Sequence, residues 1–214
     1  EYNGLKMVKK IPYLIGLGNG MEELRDLALA NKFKKVSKPG RLTIKDVTDE
    51  FVDKLLSFYD PISREGHLKI VVDAANGTAG KYCERIFPKK FFNVVPLYFK
   101  PDGTFPNHGP NPMLPENRKD IMAAVIKEKA DLGFAFDGDV DRFFVIDDKG
   151  EFVPGDFITI LLARHLLKKY PKSKIVYDLR SSWGVPELVR KAGGTALMNR
   201  VGHAYIKHRM RKED

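Results

Sequence analysis

At 214 residues, with 43% hydrophobic and 30% charged side chains, the chain holds enough material for a sizeable core, and its composition excludes a disordered protein. Its net charge of +9 invites anionic partners. The densest basic clusters, Lys32–Lys38 and Lys207–Lys212, lack aromatic interleaving and any nucleic-acid-binding motif, so they read as solvated helix ends and loops, and no nucleic-acid partner is expected.

In chain order, Leu5–Val8 reads as a short strand after the Asn3-Gly4 turn signal. Gly16, Gly18 and Gly20 suggest a dinucleotide fingerprint, but the next required glycine is Met21, so a loop before a helix over Glu22–Ala30 is the better reading. Lys32–Lys45 is a linker or surface hairpin, and Asp49–Phe58 a helix with Phe51, Val52, Leu55 and Leu56 on one face. Lys69–Asp73 is a buried strand leading through Ala74–Gly80 into a helix near Lys81–Ile86. Gly77–Lys81 falls short of a phosphate-binding loop, because Ala75 holds the first glycine position and Tyr82 follows the lysine; a tight strand-to-helix turn remains.

Val94–Phe99 is a further strand, and Pro101–Pro115 a loop too long to be mere connection. Within it His108 reads as a hydrogen-bonded loop residue rather than a metal ligand. Glu116–Lys129 is a helix with Ile121, Met122, Val125 and Ile126 facing inward, and it delivers the chain to two apolar strands, Leu132–Phe136 and Phe143–Ile146. Beyond Val153-Pro154-Gly155, Asp156 can cap a helix running to Lys169. Lys174–Asp178 is a strand, followed by a loop with Arg180 and a helix over Val185–Ala192. Near the end, Gly202-His203 opens a basic helix whose N-terminus would suit a phosphate, although such a pair read alone is more often a surface turn.

Lys69–Asp73 and Lys174–Asp178 agree at four of five positions, and each follows an amphipathic helix that begins at Asp49 or Asp156. The chain thus carries two copies of a helix–strand–loop–helix unit, the alternative being chance likeness between two α/β units. Alternating helices and apolar strands imply an α/β fold with mixed or parallel sheets. The single Cys83 cannot form an internal disulfide and reads as a buried structural residue, no apolar run approaches the roughly 20 residues that span a bilayer, and Glu1-Tyr2-Asn3-Gly4 carries no signal pattern. A cytoplasmic protein without a membrane partner is expected.

The densest chemistry lies at Asp137-Gly138-Asp139-Val140-Asp141-Arg142, between the two apolar strands. Three like charges so close repel unless a cation or proton neutralises them, and crowded hard oxygen donors suit Mg²⁺. On a flat strand the outer carboxylates would sit roughly 13 Å apart, so one ion requires a curled loop, which Gly138 would permit. Arg142 is then placed as a planar donor for phosphate. Three other readings compete. A calcium-binding EF-hand loop would need Gly and Glu where Arg142 and Asp148 stand; a haloacid-dehalogenase phosphatase would need Thr or Val at Asp141; and a plain acidic hairpin turn needs no metal.

Taken together, these pieces resemble the α-D-phosphohexomutase superfamily, in its phosphomannomutase/phosphoglucomutase branch. The resemblance rests on Asp137–Arg142 as the Asp-Gly-Asp-x-Asp-Arg metal loop, Asn3-Gly4-Leu5-Lys6, the segment Pro101–His108, and Gly202-His203. It implies tandem mixed-sheet α/β domains: residues 1–47 as the remnant of a first domain, 48–151 as the second with the metal loop, and 152–214 as a truncated third. It also implies a hexose rather than glucosamine phosphate substrate and a hexose 1,6-bisphosphate intermediate. Asp137, Asp139 and Asp141 would hold Mg²⁺, Lys6 and Arg142 would be catalytic, and Arg180, Gly202 and His203 would bind substrate. Arg180 reads equally as a surface ion pair, and Lys6 could be merely solvated. The superfamily's phosphoserine loop and Gly-Glu-x-Ser-Gly-His loop are not among these residues, so the resemblance implies a fragment with flanking segments missing. A non-catalytic module binding Mg²⁺ and sugar phosphate is the competing class.

Overall fold

The computed structural model describes residues 7–8, 14–59 and 67–213. Half of the expected strand at Leu5–Val8, residues 5 and 6, lies outside them; Val8 pairs with Leu14 in an isolated antiparallel bridge. The chain divides into two compact units, Ile44–Gly155 and Glu1–Thr43 together with Asp156–Asp214.

In the unit Ile44–Gly155, α2 (Thr48–Leu56) precedes β1 (Leu68–Asp73), α3 (Gly80–Ile86) and β2 (Phe92–Leu97). A 3₁₀ turn at Pro115–Arg118 leads into α4 (Lys119–Glu128), then β3 (Leu132–Phe136), β4 (Phe143–Ile146) and β5 (Phe152–Val153). The sheet runs β2-β1-β3-β4-β5, parallel through the first three strands and antiparallel through the rest. Because side chains alternate along a strand, Val71 enters a core with Ile121, Val125, Ala135 and Ile146, while Ile70 and Val72 enter another with Ala74, Ala79 and Cys83. β1 is therefore covered on both faces, which is why it reads as a continuous apolar run. Burial pushes the Cys83 thiol up to about 12, so it is an inert packing residue.

Two expected faces differ. Ile126 is 60% exposed: the buried stripe of α4 is Ile121 and Val125, four residues apart, and Ile126 turns aside toward the Gly150 turn. Phe51 is also exposed, its ring set edge-on to Tyr82, while Val52 is the buried residue of α2.

The other unit contains α1 (Met21–Leu29), α5 (Gly155–Lys169), β6 (Lys174–Asp178), α6 (Gly184–Lys191), β7 (Thr195–Asn199) and α7 (His203–Glu213). β6 and β7 are parallel, and Ala163, Leu167 and Val189 pack with Ile175 and Ala196. Asp156 does not cap α5 as expected. It lies inside the first turn, and its Oδ2 instead accepts the Ser182 N–H at 2.9 Å, tying α5 to the loop after β6.

The repeat survives as topology. β1–α3–β2 and β6–α6–β7 are both parallel strand–helix–strand units, and the aspartate closing each first strand accepts the N–H two residues on, Ala75 from Asp73 and Arg180 from Asp178, at 2.8 Å in both.

Candidate metal centre

The carboxyl ends of β1, β2 and β3 lie along one edge of the sheet, so the loops leaving them, residues 74–79, 98–114 and 137–142, converge there, as is general for open parallel sheets. Eight non-glycine residues have positive φ among those described, and five of them (Ala75, Asn76, Tyr98, Phe105 and Val140) sit in these three loops. Backbone held in the left-handed region costs about 1–2 kcal/mol per residue and persists only where surrounding contacts enforce it.

The acidic loop closes the β3–β4 hairpin after the pair Phe136–Phe143. The Asp137 N–H donates to the Arg142 carbonyl at 3.2 Å, and the Val140 N–H to the Asp137 carbonyl at 3.2 Å. The curl that one ion requires comes from Val140, at φ 62°, and not from Gly138 as the sequence suggests. Gly138 matters for its neighbours: its N–H donates to the Pro110 carbonyl and its carbonyl accepts the Thr78 N–H, both at 3.1 Å. A Cβ on Gly77 would stand 2.6 Å from that same carbonyl oxygen. The loop is thus clamped by both neighbours.

Asp137 is 1% exposed and is held by Arg142 twice, with the backbone N–H at 3.1 Å from Oδ1 and Nε at 2.6 Å from Oδ2. Arg142 also lies 3.4 Å from Asp141, and the hydrogen bond to Asp137 is the main reason its guanidinium holds its proton more firmly than usual. Asp139 and Asp141 are exposed, yet one oxygen from each of the three carboxylates falls within 4.8 Å of the other two. Cis ligands of an octahedral Mg²⁺ stand about 3 Å apart and trans ligands about 4 Å, so small side-chain adjustments would suffice. Three carboxylates against one guanidinium leave an excess negative charge that suits a dication.

Sequence reasoning missed the buried polar residues beneath this loop. Asp73 is 1% exposed; its Oδ1 accepts Ala75 N–H and its Oδ2 meets His108 Nε2 at 3.0 Å. Asn76 bonds Lys100 and Asn107, and Asn117 accepts Gly109 N–H at 3.2 Å while donating to the Asn111 carbonyl. The available signals were the repeated strand-end aspartate and the Asn76-Gly77 turn pair.

Of the expected substrate residues, Arg180, Gly202 and His203 belong to the other unit. Arg180 and Gly202 lie in the loops after β6 and β7 and His203 at the first residue of α7, and the Leu179 N–H donates to the Asn199 carbonyl at 3.1 Å. Arg180 forms a surface ion pair with Asp178 at 2.7 Å, which lowers the Asp178 pKa. Gly202 has φ 121°, and His203 is an exposed residue opening α7. Lys6 lies outside the described residues.

Residues 49–150 match the model of phosphoglucomutase/phosphomannomutase alpha/beta/alpha domain II, and residues 154–214 that of domain III. All of the chain aligns with a phosphomannomutase of Escherichia coli K12 at 42% identity and with one of Vibrio cholerae at 40%, covering 48% and 47% of those proteins. The chain thus spans about half the length of the curated relatives it matches. A solved phosphoglucomutase/phosphomannomutase family protein from Burkholderia thailandensis superposes with TM-score 0.82 at 34% identity, over 89% of this chain and 41% of that one. These matches leave the haloacid-dehalogenase alternative without support. With the acidic hairpin, the mixed sheet and the repeat all in place, the chain belongs to the phosphoglucomutase/phosphomannomutase family.

Proposed function

We propose that this chain supplies the metal-holding and sugar-phosphate-binding parts of a phosphohexomutase that interconverts hexose 1-phosphate and hexose 6-phosphate through a phosphoserine and a hexose 1,6-bisphosphate. The observation that carries the reading is the convergence of Asp137, Asp139 and Asp141 within 4.8 Å on a loop anchored by Arg142. Residues 48–151 are then the second domain, 152–214 part of a third, and 1–47 the end of a first.

Asp137, Asp139 and Asp141 would hold Mg²⁺, which supplies positive charge beside a phosphoryl group in transfer. Asp137 is the fixed member, already oriented by two bonds from Arg142, while exposed Asp139 and Asp141 close on the ion from the solvent side. Arg142 engages Asp137 through Nε, an orientation that lets the guanidinium edge beyond it meet phosphate oxygens. Lys6, by the family resemblance alone, would lie against the transferring group as a proton shuttle. Gly202 and His203, at a helix start, would place the distal phosphate or the sugar, with Arg180 able to exchange its Asp178 partner for phosphate.

The test is calorimetric titration of Mg²⁺ into the chain and into Asp139→Asn. Removing one of three charged ligands is expected to weaken binding by about tenfold or more. Equal titrations would overturn the reading.

A further inference from the structure

The long loop 98–114 carries a buried histidine that the proposed chemistry does not use. The His108 side chain is 7% exposed, and both its ring nitrogens face acceptors: Nε2 lies 3.0 Å from Asp73 Oδ2, and Nδ1 lies 2.9 Å from the Gly109 carbonyl. A neutral imidazole has one donor and one acceptor, so it can satisfy only one of these contacts; the imidazolium satisfies both. The next carbonyl along, that of Pro110, receives the N–H of Gly138 in the acidic loop, and Gly109 N–H is pinned by Asn117. An unbroken chain of contacts therefore runs from the His108 ring through Gly109 and Pro110 to the peptide between Asp137 and Asp139.

We propose that the Asp73–His108 pair is a positioning latch for the metal loop: the doubly donating ring holds the Gly109–Pro110 segment where Gly138 can dock, and losing one ring proton loosens the loop and weakens its grip on a divalent cation. This rests on the reading of Asp137, Asp139 and Asp141 as a Mg²⁺ site. The hydrogen bonds of the His108 ring go to Asp73 and Gly109, so it acts through position and not as a ligand.

The surroundings favour the charged ring. Asp73 from β1 is its direct partner, Asp120 from α4 adds negative charge, and the Tyr98 ring, whose hydroxyl donates to Asp120 at 2.7 Å, packs edge-on at 5.3 Å. The hydrogen bond to Asp73 is the largest cause of a raised His108 pKa, opposed by burial. The latch is therefore engaged below the ordinary histidine value and released as pH rises through the raised one.

The full 214-residue chain is titrated with Mg²⁺ from pH 6 to 9, alongside His108→Gln, whose neutral amide has a single donor nitrogen for Asp73 or Gly109 and does not titrate. Affinity in the parent is expected to fall by about three- to tenfold as His108 deprotonates, and the variant to bind weakly with no such step. Linkage gives a second readout that needs no variant: saturating Mg²⁺ should raise the His108 pKa followed by NMR by about 0.5–1 unit, whereas simple repulsion from a nearby dication would lower it. A parent-like pH step in His108→Gln, or a His108 pKa that falls or stays fixed with Mg²⁺, would overturn the latch while leaving the metal site standing. Failure of the parent to bind Mg²⁺ at any pH would overturn the metal site and the latch with it.

Discussion

At Gly77 the absence of a side chain is a condition of the site. A Cβ there would meet the Gly138 carbonyl oxygen at 2.6 Å and the Gly138 Cα at 2.9 Å, and both are backbone atoms that no rotamer change can move aside. Gly77→Ala is therefore expected to displace the acidic loop itself, lowering stability by about 2 kcal/mol and Mg²⁺ affinity by about tenfold. Gly103→Ala, where nothing lies within 4 Å, should change neither. Urea unfolding and calorimetry on both variants check this; a Gly77→Ala protein matching its parent would mean the loop is not held against residues 77–78. Val140 makes the complementary point. A β-branched residue at φ 62° is costly, and it is tolerated where its turn brings three carboxylates toward one point.

Among the elements, α4 separates what a hydrophobic pattern can and cannot say. Its large apolar residues come in adjacent pairs, Ile121-Met122 and Val125-Ile126, but only the first of each pair is fully buried against the sheet. Val125 packs against Gly133 of β3, where a Cβ would come within 2.8 Å of its methyl group. Val125→Ala should cost about 2 kcal/mol, whereas Ile126→Ala, at a 60% exposed position, should cost under about 1 kcal/mol. Similar losses in chemical denaturation would show that both rows of α4 are core. The strands are legible because their apolar residues are contiguous: Leu132–Phe136, Phe143–Ile146 and, around its three-residue apolar centre, Lys174–Asp178 have the same bounds in the sequence pattern and in the structure. The acidic loop is legible because its charge spacing is local. Asp73, Asn76 and Asn117 are not, since their burial depends on partners brought from distant segments, such as His108 to Asp73, and no short window records that closure.

For the molecule as a whole, the two compact units carry different halves of the proposed chemistry. One holds the three carboxylates and Arg142; the other holds Gly202 and His203 at the start of α7. Metal and substrate-binding groups can stabilise a phosphoryl group in transit, but a mutase that works through a bisphosphate also needs a residue that gives a phosphoryl group to one hydroxyl of the sugar and takes the other one back. No side chain in the acidic loop suits that role under the proposed reading, because aspartates that hold a dication would be poor nucleophiles. Cys83 does not suit it either, being buried with its thiol pushed up to about 12. These 214 residues are therefore expected to bind Mg²⁺ yet give no turnover of glucose 1-phosphate with glucose 1,6-bisphosphate present, in an assay coupled to glucose 6-phosphate dehydrogenase. Turnover that disappears in Asp139→Asn would show that a nucleophile within the chain completes the site. Binding without turnover would fit a part that requires a phosphorylated serine brought to its metal loop by another segment.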